Sequence, residues 1–153
     1  MDAEQEKIAF DKVVRYHVYD YVMRGGLLPT IAETSSALSR PPNEVRASFQ
    51  RLADGHILVL QKSSGEVLMA NPFSAVPTAF LVKAKGRSYY GNCIWDAMGI
   101  SAMLKQEATI EASCGCCSTA MNLKITNASL EEAHGIAHFA VLAAHWWDDI
   151  VFS

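Results

Sequence analysis

The stretch YYGNCIWDAMG, residues 89–99, sets Cys93 and Asp96 three positions apart, directly after a run of residues typical of a β-strand. Asn92 is a residue type that caps helices, so the pattern predicts a helix with Cys93 in its first turn. Unpaired backbone N–H groups and the helix dipole at that end favour a thiolate. Residues three apart share a helix face, which predicts Asp96 beside the thiol.

Spacing alone leaves two interpretations of this pair open. Cysteines are commonly buried as small apolar residues, and an aspartate near a helix N-terminus stabilises the helix. A carboxylate beside a thiol raises the thiol pKa, so the pair does not serve mutual stabilisation. The pair makes chemical sense where a soft cation binds the sulfur and the carboxyl carries a proton next to it.

The sequence around this stretch predicts a second half that is rich in strands. The predicted strands are FLVKA (80–84), RSYYG (87–91), ATIEAS (108–113) and MNLKI (121–125). The run IAHFAVLAA, residues 136–144, predicts a core strand or a helix, which periodicity does not separate, with His138 as a core histidine. Apolar residues continue almost to residue 153, as in a last strand of the core or in a chain that lacks a C-terminal piece.

The first half has the pattern of three helices followed by a hairpin. A helical apolar stripe in residues 3–23 ends at Gly25-Gly26, and Thr30 with Glu33 forms a capping-box signature. This element order is that of a winged helix-turn-helix. We therefore predict two units, 1–74 and 75–153, with a Pro- and Ser-containing linker at 71–79.

Composition and charge restrict the function classes. The 153 residues are half hydrophobic, enough for one domain or two small units sharing a core. Residues 1–74 hold eight Lys plus Arg against nine Asp plus Glu, so DNA binding is not predicted. The absence of an apolar run of ~18 residues or of a signal peptide predicts a cytoplasmic protein with free thiols and no membrane partner.

The segment SCGCCST, residues 113–119, brings Cys114, Cys116 and Cys117 within four positions. A Cys-x-Cys pair chelates one soft ion such as Cu(I), Hg(II) or Zn(II). The spacing is not that of a zinc finger, because a second pair is missing unless Cys93 or a histidine joins. One structural cysteine at Cys114 with incidental neighbours is an alternative, and a redox pair of Cys116 with Cys117 is another.

The segment PTAFLVKAKGRSYYGNCIWDAMG, residues 77–99, resembles the part of alkylmercury (organomercurial) lyases that leads into their active-site Cys-x-x-Asp. Residues 108–126 and 137–149 are similar to further segments of that family, which also has a winged-helix-like N-terminal unit. The resemblance implies an α+β fold, with this N-terminal unit packed on an alkylmercury-lyase-like core of antiparallel strands and helices.

The resemblance implies protonolysis of a carbon–mercury bond, with Cys93 as the first thiolate and Asp96 as the proton carrier. The resemblance implies no cofactor. The implied ligand is a small organometal or metal ion, and a thiol reductant is the implied acceptor of the metal ion. The family's second catalytic cysteine falls on His134, which is then a candidate nitrogen ligand. We predict instead that the 114–117 turn supplies the second thiolate, which requires sulfurs roughly 3.5–4.7 Å apart for metal–sulfur bonds of ~2.3 Å.

Three functions follow in order of preference. The first is an organomercurial-lyase-like protein that uses Cys93 and Asp96. The second is a non-enzymatic protein that binds or senses a soft metal (Hg, Cu or Zn) through Cys114, Cys116 and Cys117. The third is a transcription regulator that uses the N-terminal unit. The natural substrate, the metal and the oligomeric state, a homodimer included, stay open.

Overall fold

The computed structural model describes residues 2–131 and 134–151 of the chain, and it has the predicted α+β architecture. The helices are α1 (Ala3–Gly25), α2 (Ile31–Leu38), α3 (Pro42–Asp54) and α4 (Ile94–Leu104). The strands are β1 (Val59–Leu60), β2 (Val67–Ala70), β3 (Phe73–Ser74), β4 (Leu81–Ala84), β5 (Arg87–Tyr90), β6 (Ala108–Ser113), β7 (Ala120–Thr126) and β8 (Ser129–Glu131). A 3-10 helix, Ala143–Asp148, follows.

Local signals explain the three N-terminal helices. Helix α1 is capped at its C-terminus by Gly26, whose φ of 83° suits a residue without a Cβ. Thr30 and Glu33 form the predicted capping box of α2, and Pro42 occupies the first position of α3. The helices precede an antiparallel sheet with strand order β1-β2-β3. This is the predicted element order, while the winged-helix assignment stays a prediction.

The second half of the chain is built on a five-stranded antiparallel sheet. Its strand order is β5-β4-β6-β7-β8, and α4 contacts β4 and β6. Alternate residues of the strands are buried with the inner face of the helix, in a core that includes Val82, Tyr89, Ala97, Ile100 and Ile110. The period of two along the strands therefore decides which face of the sheet receives α4.

The two halves are joined by buried contacts. The Tyr89 hydroxyl donates a 2.8 Å hydrogen bond to the Met23 carbonyl at the end of α1. Phe73 is buried, pairs with Ala70 of β2 and forms an isolated bridge with Gly91. The segment 71–79 therefore contains a buried strand, and its prediction as a linker was wrong. The division into units 1–74 and 75–153 stays a prediction.

The segment after β8 differs from its prediction. Residues 136–142 form neither a strand nor a helix, and His138 is exposed, so both the core element and the core histidine were wrong. Residues 143–148 form the 3-10 helix rather than a last strand, with Trp147 stacked on His56 at 4.2 Å between ring centroids. Apolar composition alone does not specify a strand, and none of the described strands pairs with residues 136–142.

Candidate active site

The side chain of Cys93 caps the helix α4. Its Sγ accepts a 3.4 Å hydrogen bond from the backbone N–H of Asp96, and its φ of −146° is that of extended backbone. The prediction of Asn92 as the cap was wrong by one residue, because the Asn92 amide instead donates to Asn71 Oδ1 at 3.1 Å. The thiol nevertheless lies at the helix N-terminus, as the sequence predicted.

The carboxyl group of Asp96 lies near the same thiol. Asp96 is partly buried, and its backbone N–H donates to the Cys93 sulfur at 3.4 Å. Burial raises the Asp96 pKa, because the charged form loses solvation, and hydrogen bonding from Asn92 and Cys93 opposes part of the rise. The carboxyl group is therefore easier to protonate than an exposed aspartate.

The environment of the Cys93 thiol raises its pKa and so favours the protonated form. Burial raises its pKa, backbone N–H groups of Asp96 and Trp95 lower it, and the negative charge of Asp96 raises it further. The helix-dipole expectation of a favoured thiolate was therefore wrong, since burial outweighs the helix terminus. A soft cation on the sulfur would reverse this balance, because the cation compensates the charge of the thiolate.

Gly91 allows the strand β5 to turn into α4 at close range. A Cβ at this position would lie 2.7 Å from the Ala97 backbone nitrogen, so no side chain fits. The Gly91 N–H donates to the Phe80 carbonyl at 3.0 Å, and its carbonyl accepts from Thr78 Oγ1 at 2.5 Å. This role of Gly91 was not predicted, although a glycine between a strand and a helix is typical of a close backbone approach.

Trp95, one of the two residues between Cys93 and Asp96, was also not predicted to be part of the site. Its side chain is 61% exposed in the first turn of α4, whereas most indole rings lose much of their surface to packing. An exposed indole adjacent in sequence to Asp96 offers an apolar surface on the same turn of α4. The position of Trp95 inside the Cys-x-x-Asp motif was the sequence feature from which a role near the site could have been predicted.

The three remaining cysteines meet in the β6–β7 turn. The possible ligand atoms of Cys114, Cys116 and Cys117 all lie within 4.8 Å of one another, and the first two sulfurs are 3.2 Å apart. Backbone N–H and thiol groups of Cys116, then those of Cys117, lower the Cys114 pKa to about 7. The Cys116 pKa is raised, because its thiol donates to Cys114 and also contacts Cys117. Cys116 and Cys117 are exposed.

The sheet register brings this turn to the end of the sheet where Cys93 lies. Tyr90 of β5 and Glu111 of β6 both pair with Leu81, and both strands run antiparallel to β4. Cys93 lies three residues after Tyr90, and Cys114 lies three residues after Glu111, so both cysteines lie beyond the same end of the sheet. Because β5 and β6 flank β4, they are two strand spacings, about 10 Å, apart.

The predicted metal ligands are therefore only partly brought together. Among the described residues, the group of three or more potential ligands consists of the turn thiols and does not include Cys93 or His134. His134 is exposed in the segment that follows residue 133. It stays a prediction that a sulfur of the 114–117 turn comes within bonding distance of a metal ion bound to Cys93.

The pKa shifts predict different reactivities for Cys114 and Cys93. At pH 7 the Cys114 thiol, with a pKa of about 7, is half ionised, whereas the Cys93 thiol, with its raised pKa, is almost fully protonated. We expect iodoacetamide at pH 7 to alkylate Cys114 several-fold faster, even though a less basic thiolate is a weaker nucleophile. The Cys93 rate should keep rising above pH 8. Peptide mass spectrometry measures both rates, and equal rates at pH 7 would contradict the assignment.

Comparisons with known proteins agree with this architecture. The sequence model of a family described as MerB, alkylmercury lyase, matches residues 73–152. The fold is similar to a solved structure described as the mercury-bound form of MerB2, with a TM-score of 0.61 and 16% sequence identity. The match covers 84% of this chain and 66% of that one, so this chain spans just under two thirds of its length. No curated protein matches in sequence, and the described residues hold no helix suited to crossing a membrane.

Proposed function

Because the chain belongs to the alkylmercury lyase family, we propose that it cleaves carbon–mercury bonds, with Cys93 binding the mercury and Asp96 carrying the proton. The observation that supports this most strongly is the partly buried pair at the start of α4, in which the Asp96 backbone N–H donates to the Cys93 sulfur and the thiol influences the pKa of the nearby carboxyl group. Both pKa values are raised, so the pair stores a proton next to the sulfur.

The first step would be replacement of the thiol proton by the organomercury cation. The sulfur of Cys93 forms a bond to mercury, and the S–H proton passes to the carboxylate of Asp96. The proximity of the two side chains provides the path for this transfer. The raised Asp96 pKa favours the product, a neutral carboxylic acid next to a mercury thiolate.

The second step would be protonolysis. The electron pair of the carbon–mercury bond takes the proton of the Asp96 carboxyl group, which releases a hydrocarbon and leaves Hg(II) on the sulfur. Asp96 returns to the carboxylate form and is ready to accept the next proton. Partial burial strengthens the transfer, because little water competes for the proton beside the reacting carbon.

A second sulfur on the mercury would make the carbon easier to protonate, since thiolates donate electron density to a soft ion. While no ion occupies the turn, we propose Cys116 or Cys117 as its source, because the turn lies at the same end of the sheet as Cys93 and both side chains are exposed. His134 is the alternative nitrogen ligand at the family position. An external thiol then removes the Hg(II) and restores the Cys93 thiol.

The exposed Trp95 suggests which substrates fit. Its ring offers an apolar surface beside the pair, so the mercurial would place its alkyl or aryl group there. Neutral organic groups are favoured, because the Asp96 carboxylate next to the ring would repel a negatively charged group.

Benzene release from phenylmercuric acetate tests the proposed function. The purified chain, incubated with this salt and an excess of a small thiol, should release benzene in amounts that exceed the protein concentration. Gas chromatography of the headspace measures it against the same mixture without protein. Benzene at the level of the protein-free mixture would overturn the proposal.

A further inference from the structure

We propose that the β6–β7 turn is a trithiolate site, in which Cys114, Cys116 and Cys117 bind one soft metal ion without a ligand from elsewhere in the chain. The site is separate from the Cys93–Asp96 pair and does not depend on carbon–mercury cleavage. It adds an ion-binding site to the proposed reaction centre.

The spacing of the sulfurs fits one ion. All three ligand atoms lie within 4.8 Å of one another. Three sulfurs around a central ion, each with a bond of ~2.3 Å, are roughly 4 Å apart. The sulfurs of Cys114 and Cys116, now 3.2 Å apart, would separate by about 1 Å, which rotation of an exposed side chain achieves.

The backbone of the turn positions these side chains before an ion arrives. The Cys114 N–H donates to the Thr119 carbonyl, and the Ser118 N–H donates to the Cys114 carbonyl, each at 2.9 Å. Ser113 pairs with Ala120 immediately before the turn. Because the loop is already closed, binding has to order only three side chains, which lowers its entropy cost.

The donor set selects the class of ion. The group contains thiols only, which favour soft cations such as Hg(II) and Cu(I) over Mg²⁺ or Ca²⁺. Three donors suit an ion that accepts three-coordination, whereas structural Zn(II) takes four ligands. On binding, a metal–sulfur bond replaces each remaining S–H bond, and the released protons pass to solvent.

The exposure of the site indicates rapid exchange. Cys116 and Cys117 are exposed, and a Cβ at Gly115 would have no neighbour within 4 Å. Small thiols therefore have access to the bound ion and can remove it by forming their own sulfur bonds. This access distinguishes the turn from a buried structural metal site, in which the surrounding chain excludes competing ligands.

Titration of the reduced full-length chain with mercuric chloride tests the proposal, with thiolate-to-mercury absorbance as the signal and a small competing thiol present. We expect one tightly held ion per chain, in the turn, because three sulfurs hold mercury against the competing thiol better than the single Cys93 sulfur does. Each of Cys114→Ser, Cys116→Ser and Cys117→Ser should weaken binding of this ion by about tenfold or more. Ser113→Ala, which alters an exposed side chain next to the turn, is the matched control and should bind as the unaltered chain does. Unchanged binding in all three cysteine variants would overturn the site.

Two further measurements separate this site from the Cys93 centre. Cys93→Ser should retain mercuric-ion binding within about twofold, whereas an equal loss in this variant would show a shared site and overturn the proposal. X-ray absorption at the mercury edge, with one mercuric ion added per chain, should count three sulfurs in the unaltered chain, and a count of two would contradict the trithiolate. If the chain releases no benzene but both measurements give the expected results, only the proposed cleavage is overturned and the trithiolate site is supported.

Discussion

Cys93→Ser is expected to reduce benzene release from phenylmercuric acetate by on the order of 10³-fold or more, to the level of the protein-free mixture. A serine hydroxyl does not ionise usefully near neutral pH and is a poor ligand for a soft ion. The fold should be unaffected, because the side chain is only partly buried and differs by one atom. Circular dichroism and gas chromatography of the same sample measure both properties.

The matched control for this variant is Met103→Ser. Met103 also carries sulfur, lies on α4 and is 43% exposed, but it is at the other end of the helix from the pair. Its replacement should leave the rate unchanged within about twofold. If Cys93→Ser kept more than a tenth of the rate, Cys93 would not be the sulfur on which cleavage depends.

Gly91→Ala should lower the free energy of unfolding by about 2–4 kcal/mol and reduce cleavage in the protein that remains folded. The added methyl group would lie 2.7 Å from the Ala97 nitrogen and 3.0 Å from its Cα, so α4 would have to move. Movement of α4 changes the position of Asp96 relative to the Cys93 sulfur. Urea unfolding curves measure the first effect, and the benzene assay measures the second.

Gly25→Ala is the control for a general effect of adding a methyl group. A Cβ at Gly25 has no neighbour within 4 Å, and the residue ends α1 without a positive φ. Alanine has the higher helix propensity, so this variant should be neutral or slightly stabilising. Equal stability of Gly91→Ala and the unaltered chain would contradict the close approach of β5 and α4.

The hairpin and helix around the candidate site could be predicted from the sequence because their signals are local. Lys85-Gly86 takes the left-handed conformations of a tight turn, and the alternation in the flanking strands matches their burial. The cysteine turn between two strands could be predicted in the same way. The pairing of β4 with both β5 and β6, which brings the turn to the Cys93 end of the sheet, is non-local and has no signature in either segment.

Properties that depend on burial could not be predicted from spacing. The helix N-terminus at Cys93 indicates a lowered thiol pKa, whereas the packed structure raises it through lost solvation. The run at 136–144 has the composition of a core element, but its structure depends on whether a neighbouring strand offers free hydrogen-bonding groups. Phe73 likewise looks like part of a linker until its partners Ala70 and Gly91 are placed in space.

Native mass spectrometry of Asp96→Asn after incubation with phenylmercuric acetate tests most directly whether Asp96 supplies the proton. The asparagine keeps the shape of the side chain but has no acidic proton to transfer. We predict that the variant retains mercury with the phenyl group still attached, while the unaltered chain carries mercury without it and releases benzene. Loss of the phenyl group from Asp96→Asn at the rate of the unaltered chain would contradict the account.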